Sequence, residues 1–362
     1  MSAERREIFI NGRFLARRPT GVDRFARETL RALDVLLSQT PELAAVWRFT
    51  LLMPPGAMAA APVYGQIEVQ ECGRLKGALW EQIDLPWCAR GKMLLNLCNA
   101  APLFKRKQAV VIHDAAPARV PESYSRGFRL WYGFLMPWLG RVAQQIFTVS
   151  EFSRRELTAA YGIAPAKISV LPESGEHILR VQADESILDR HGLRQRPYVL
   201  GVSSMSPHKN FAALVRAVEL LGEKCSFDVV VAGGTNPRIF ASGDLPDFVK
   251  HVGYVSDEEL RALYEHAACF VFPSYYEGFG LPAAEALALG CPVIAADAAS
   301  IPEVCGDSAI YFNPRNPEEL ASVLMNYFRA ADMSLNRAAG GCECSMVRWT
   351  ETGHALLRGL RK

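Results

Sequence analysis

Short apolar runs alternate with helix-period segments along the whole chain, and this alternation restricts the fold to βαβ units carrying parallel sheets. In the first half the runs are Ile8–Ile10, Phe49–Met53, Met93–Leu97, Ala109–Ile112 and Ile146–Val149. In the second they are Tyr198–Val202, Phe227–Ala232, His251–Tyr254, Cys269–Phe272, Val293–Ala296 and Ala309–Phe312. A helical pattern of Phe25, Leu30, Leu33, Leu36 and Leu37 follows the loop Arg17-Arg18-Pro19-Thr20-Gly21. Ser153-Arg154-Arg155-Glu156 and Ser256-Asp257-Glu258-Glu259 fit capping boxes, and the first of these helices stops at Gly162. At 362 residues the chain exceeds what one core usually supports, so two α/β domains are expected. The polar segment Pro172 to Pro197, broken by Gly175 and Gly192, contains the expected hinge. The domain reading is 1–172, a linker 173–196, 197–345, and a last helix 346–362 holding Trp349 and Leu356-Leu357 after an Ala339-Gly340-Gly341 turn.

Half of the residues are hydrophobic and 22% are charged, which excludes a disordered chain. No apolar run is long enough to span a bilayer. The start, Met1 to Glu7, leads directly into Ile8–Ile10 without the apolar core of a signal peptide. Nine scattered cysteines read as reduced thiols, and Cys342 and Cys344 lack the further ligands of a zinc site. The charge is uneven. Residues 1–170 carry 23 basic against 14 acidic residues, whereas residues 171–362 carry 17 against 24. The basic half suits a phosphorylated acceptor or an anionic lipid surface, and no nucleic acid is expected.

One segment carries chemistry: Pro273-Ser274-Tyr275-Tyr276-Glu277-Gly278-Phe279-Gly280-Leu281-Pro282-Ala283-Ala284-Glu285. A strand-like run precedes it and Pro282 opens a helix, since proline suits the first helical position. The amides of Phe279, Gly280 and Leu281 then lie at a helix N-terminus that favours an anion such as a diphosphate. Gly278 and Gly280 let the backbone approach closely. Glu277 and Glu285 repel phosphate and are better used on sugar hydroxyls. Together these features suit a nucleotide sugar. The segment resembles the signature of the retaining glycosyltransferases of family 4, and the chain is most similar to their bacterial surface-polysaccharide mannosyltransferases.

That resemblance implies the GT-B arrangement: two Rossmann-like domains facing across a cleft, with the C-terminal helix crossing back to the N-terminal domain. It implies that Glu277 meets the donor sugar and Glu285 the ribose. Ser203-Ser204-Met205-Ser206-Pro207-His208-Lys209-Asn210 follows a strand, and in the matching loop Lys209 contacts the diphosphate. His208 stands where relatives carry arginine, with a charge conditional on pH. His113, ending the run Val110–Ile112, matches a histidine facing donor and acceptor; Asp114 either orients it or caps the next turn. Thr20-Gly21-Val22-Asp23-Arg24 resembles a glycine loop near the donor phosphates, with Gly21 on the donor side and Asp23 facing the acceptor. Base recognition is expected near Val255. Leu171-Pro172-Glu173-Ser174-Gly175-Glu176-His177 replaces the usual Asn-Gly and reads as hinge. Lys105-Arg106-Lys107, with Leu103-Phe104 and Trp131, Tyr132, Phe134 and Trp138, forms a basic and aromatic neighbourhood; the triplet suits anionic headgroups, whereas the aromatics read as the buried side of a core helix.

The implied activity is transfer of a hexose, best mannose from GDP-mannose, to a hydroxyl of a glycan or lipid-diphosphate-linked acceptor. Lys209 and the Gly278–Leu281 amides would stabilise the leaving diphosphate by electrostatics and position. No cofactor and no metal is expected, because no Asp-X-Asp site exists and Lys209 supplies positive charge. The expected location is the cytoplasm, at the inner face of its membrane. A UDP-hexose transferase, a nucleotide-sugar epimerase and a non-catalytic scaffold stand as alternatives. A nicotinamide oxidoreductase is disfavoured, since Ile10-Asn11-Gly12-Arg13-Phe14 lacks Gly-X-Gly-X-X-Gly.

Overall fold

The computed structural model describes residues 5–17, 20–202, 206–234, 246, 248–333 and 347–361. Arg18-Pro19, Ser203–Met205, the Ala339-Gly340-Gly341 turn, Cys342 and Cys344 lie outside the described residues. The chain forms two compact units. One comprises Met1–Arg119, Tyr124–Glu173 and Val347–Lys362; the other comprises Val120–Ser123 and Ser174–Met346.

The first unit is built on β1 (Arg6–Asn11), β2 (Trp47–Met53), β3 (Ile67–Glu71), β4 (Met93–Asn96), β5 (Gln108–Val111), β6 (Gln145–Thr148) and β7 (Ile168–Val170). These form one sheet in the order β3-β2-β1-β4-β5-β6-β7. Every pairing is parallel, with Ile8 opposite both Phe49 and Met93. The second unit carries β8 (Tyr198–Val202), β9 (Asp228–Ala232), β10 (Val249–Gly253), β11 (Cys269–Phe272), β12 (Val293–Ala296) and β13 (Ala309–Phe312). Its sheet is also parallel, in the order β10-β9-β8-β11-β12-β13. In both sheets the chain winds outward from its first strand, then returns to the other side. The order reverses between β1 and β4 and between β8 and β11, the place where α/β sheets open a crevice at their carboxyl ends.

Parallel strands covered by helices are buried on both faces, which is why they read as continuous apolar runs. Phe270, Val271, Val230 and Ile294 are fully buried in the second core. β3 and β7 fall outside the apolar runs expected to form strands. β3 is an edge strand of alternating Ile-Glu-Val-Gln-Glu with only Ile67 buried, and β7 spans three residues.

The helices that matter here are α1 (Gly21–Gln39), α2 (Arg126–Val142), α3 (Glu151–Tyr161), α4 (Phe211–Leu221), α5 (Asp257–His266), α6 (Leu281–Ala288), α7 (Pro317–Met333) and α8 (Trp349–Gly359). α3 is capped by Ser150, whose side chain accepts from Ser153 N, so Ser153 lies in the first turn instead of capping it. The capping box of Ser256 and Glu259 opens α5 as expected. α8 belongs to the first unit, where it packs along α1. Its Trp349, Leu356 and Leu357 are buried, and the Trp349 ring meets Phe25 at 6.0 Å.

Candidate functional site

The loops after β8 and β11 meet where the second sheet reverses order. Bonds from three residues, Tyr275, Asn210 and Lys209, stitch them together. Tyr275 N donates to the His208 carbonyl at 2.8 Å. Asn210, in the left-handed region at φ 56°, donates through Nδ2 to the carbonyls of Pro273 (3.0 Å) and Pro314 (2.9 Å). Lys209 Nζ donates to both Glu277 oxygens at 2.8 Å. Glu277 is buried and the lysine largely so. The Ser300 hydroxyl lies 3.0 Å from the Glu277 carbonyl and 2.8 Å from that of Phe279, fixing the turn between them.

Gly280 precedes α6 at φ 107°, a conformation closed to residues with a β-carbon. The helix therefore opens at Leu281, and Pro282 takes the second position, one later than expected. The Leu281 amide lies in the first turn, where helix geometry supplies no intrahelical acceptor. This turn and Lys209 present positive potential beside the buried Glu277 carboxylate.

Glu285 lies one turn into α6 and is buried. Its Oε1 is 2.9 Å from His177 Nε2, and its Oε2 is 3.2 Å from the Tyr264 hydroxyl, which also reaches the Pro282 carbonyl at 3.0 Å. Burial, with Glu285 beside it, pushes the Tyr264 phenol well above its usual pKa, so the phenol stays a donor. His177 Nδ1 is 3.2 Å from the Ser174 carbonyl. A carbonyl only accepts, so Nδ1 is the donor in that contact. The close approach depends on Gly175, because a β-carbon there would come within 2.1 Å of the Ala284 carbonyl oxygen. Within the segment read as hinge, which holds the boundary between the two units at Glu173 and Ser174, Gly175 and His177 also clasp α6. Spacing gave no sign of this, since His177 and Glu285 are 108 positions apart.

His208 is buried, with Nδ1 2.8 Å from Ser123 Oγ. Burial, and secondarily the Lys209 charge, lower its pKa to about 4. It is neutral near pH 7, so it cannot stand in for an arginine charge. Val255 is half-buried against the second core, two residues before α5.

The site candidates of the first unit are held differently. Asp23 is fully buried. Its Oδ2 accepts from Thr20 N (2.9 Å) and Oγ1 (2.7 Å), and its Oδ1 accepts from Arg17 at 2.6 and 3.0 Å. The carboxylate caps α1 and neutralises Arg17, while Gly21 is exposed in the first turn. His113 is buried, with Nε2 3.0 Å from the Leu97 carbonyl, to which it must donate. Its Nδ1 faces Glu173 at 3.6 Å, and its ring meets Phe25 at 4.8 Å. Asp114 accepts from Ala116 N at 2.8 Å and so caps the next turn. At the order reversal of this sheet Asn11 donates to Glu81 (2.9 Å) and Asn96 (3.1 Å), and Arg13 pairs with Glu81. This buried polar network was not anticipated. No cluster of three potential metal ligands occurs among the described residues.

Residues 196–329 match the family Glycosyl transferases group 1. The chain is 32% identical over 194 residues to O-antigen chain mannosyltransferase B of Escherichia coli, covering 51% of each chain. It is 27% identical over 246 residues to O-antigen chain mannosyltransferase RfbU of Salmonella typhimurium, covering 67% of this chain and 66% of the relative. The chain therefore spans about half to two thirds of these relatives. Among solved structures, sucrose-phosphate synthase from Thermosynechococcus elongatus superposes with a TM-score of 0.72 at 17% identity, covering 99% of this chain and 98% of that one. Anabaena HepE in complex with UDP and glucose gives 0.69 at 16%, with 98% and 99% covered. WaaG, a glycosyltransferase involved in lipopolysaccharide biosynthesis, gives 0.63 at 13%, with 96% and 95% covered. These likenesses establish the fold as the two-sheet GT-B type.

Proposed function

We propose that this chain, whose residues 196–329 form a group 1 glycosyltransferase domain, moves a hexose from a nucleoside diphosphate sugar to a hydroxyl acceptor with retention of configuration. The observation that carries this reading is the convergence of Lys209, Glu277 and the start of α6 at the order reversal of the second sheet. The donor diphosphate lies against the first turn of α6, where amides and dipole favour an anion. Lys209 adds a positive charge, and its bonds to Glu277 set its direction beforehand. Glu277 then positions the sugar. Glu285, oriented by His177 and Tyr264, accepts from the ribose. The departing phosphate oxygen takes the acceptor proton as the acceptor attacks the face it leaves, which retains the anomeric configuration. Catalysis is by position and electrostatics, and Lys209 with the α6 start supplies the charge for which a metal would otherwise be needed.

The mannosyltransferase names of the O-antigen relatives support mannose as the group transferred, and GDP-mannose is the donor proposed here. The acceptor proposed is a glycan or lipid-diphosphate-linked oligosaccharide of surface-polysaccharide synthesis, on the cytoplasmic side. The acceptor falls to the first unit, where His113 acts as a positioning residue.

The test is nucleoside diphosphate release from GDP-mannose, UDP-glucose and UDP-N-acetylglucosamine, each with a polyprenyl-diphosphate oligosaccharide. GDP release with an α-linked mannosyl product supports the proposal. Acceptor-independent turnover to a new nucleotide sugar would make the chain an epimerase, and inert behaviour with every donor would make it a scaffold.

A further inference from the structure

Val120–Ser123 belong to the second unit, although Arg119 and Tyr124 on either side belong to the first. The excursion is short and well held. Pro121–Ser123 form one helical turn, closed by Ser123 N, which donates to the Val120 carbonyl at 3.1 Å. Val120 itself is buried. Before the turn Arg119 pairs with Glu156 at 2.6 Å, and after it the Tyr124 ring stacks on Phe128 at 5.3 Å. α2 follows at once, capped by the Ser125 hydroxyl and buried through Leu135, Met136 and Leu139. Its Trp131 and Phe134, read from the sequence as core, are exposed. Ser123 is thus fixed from both sides.

The Pro121–Ser123 turn packs on the turn Pro207–Lys209, and Ser123 Oγ lies 2.8 Å from His208 Nδ1. The second turn is closed by Lys209 N to the Ser206 carbonyl (2.9 Å) and by Asn210 N to the Pro207 carbonyl (3.1 Å). His208 is held at two points, its carbonyl by Tyr275 N and its ring by Ser123. On the other side Asn210 is bound to the Pro273 and Pro314 carbonyls. Lys209 therefore stands between two clamped residues, with its Nζ on Glu277.

Burial, and then the Lys209 charge, keep the His208 ring neutral against the opposing carboxylates of Glu277 and Glu122. A neutral ring needs no counter-ion, so a hydroxyl suffices as its partner. Removing that hydroxyl takes a hydrogen bond from a buried nitrogen, and the turn must shift to recover it. Lys209 is the next residue. A misplacement of about 1 Å at a reacting site can cost on the order of 10²-fold in rate.

We propose that Ser123 is a positioning residue for the transfer, acting through His208 to keep Lys209 aligned on the departing diphosphate. This rests on the donor reading given above and adds a residue from outside the two loops of the site, 85 positions before His208. Because charge develops on the diphosphate as it leaves, Ser123 acts on turnover more than on donor binding.

The test measures nucleoside diphosphate release by the full chain from GDP-mannose, or from UDP-glucose where the wild type uses that donor, with a polyprenyl-diphosphate oligosaccharide. Ser123→Ala and Ser123→Gly should each lower kcat about tenfold, with the donor KM changed less than about threefold. Ser123→Thr keeps the hydroxyl and should recover most of the turnover. His208→Ala should lose at least as much as Ser123→Ala, and the double variant should fall no further than His208→Ala alone, since both act on one contact. Urea denaturation checks that each variant is folded, and a misfolded Ser123→Ala leaves Ser123→Gly to decide. Wild-type kcat in the folded variants would overturn the inference, and so would losses that multiply in the double variant. A wild type inert with both donors would instead refute the donor reading, and this inference with it.

Discussion

The two sheets share one strand order, yet the side chains at their carboxyl edges are spent in opposite ways. At the first sheet, Asp23 and His113 are buried and tied to Thr20, Arg17 and the Leu97 carbonyl. At the second, the Lys209–Glu277 pair sits beside a helix start and bonds chiefly to itself. A topology fixes where a crevice opens, not which groups remain to act in it. In the proposed reaction the donor chemistry therefore falls to the second unit, while the first uses similar residue types to hold its own loops.

The largest expected effect comes from the second unit. Glu277→Ala should lower turnover by on the order of 10²-fold or more in a donor-release assay, since it removes a positioned contact at the reacting centre. Near-normal turnover would erase the contrast between the units.

Next comes pH. The folded pKa of His208, about 4, lies below the ordinary 6.5, so on acidification the unfolded chain takes the proton first. This contribution is complete above pH 6.5 and is lost as pH falls toward 4. It amounts to on the order of 2 kcal/mol. Urea denaturation at both ends of that window should show His208→Asn losing less stability than wild type, and equal losses would refute the assignment.

In the first unit, Asp23→Ala should cost about 1–2 kcal/mol of stability, because it removes the α1 cap and leaves Arg17 unpaired. A stable Asp23→Ala that transfers poorly would make Asp23 a binding group after all.

The smallest effect sharpens the role of the clasp. His177→Ala should weaken donor binding roughly tenfold, about 1.4 kcal/mol, with turnover at saturating donor little changed. A fall in turnover at saturation would place the clasp at the reacting sugar.

Much of the fold was legible because buried parallel strands announce themselves: Tyr198–Val202, Cys269–Phe272, Val293–Ala296 and Ala309–Phe312 have the bounds expected from their apolar runs. β3 escaped because an edge strand with one wet face resembles a polar loop. At the candidate site, the glycine turn and the start of α6 were local features, written in residues 277–285. The His177 clasp, the Asn210 bridge and the Ser300 contact were not legible, since each joins residues far apart in sequence. His208 and Asp23 show a further limit. Residue type suggested a charge for one and a ligand for the other, but burial and neighbours decide both.

In the proposed reaction the donor binds to the second unit, around Lys209, Glu277 and Glu285. Calorimetric titration of GDP-mannose into the wild type and the Glu285→Ala variant, without divalent metal, tests it most directly. Saturable binding by the wild type and a loss of about tenfold or more in the variant are expected. Equal binding by the two proteins would contradict it.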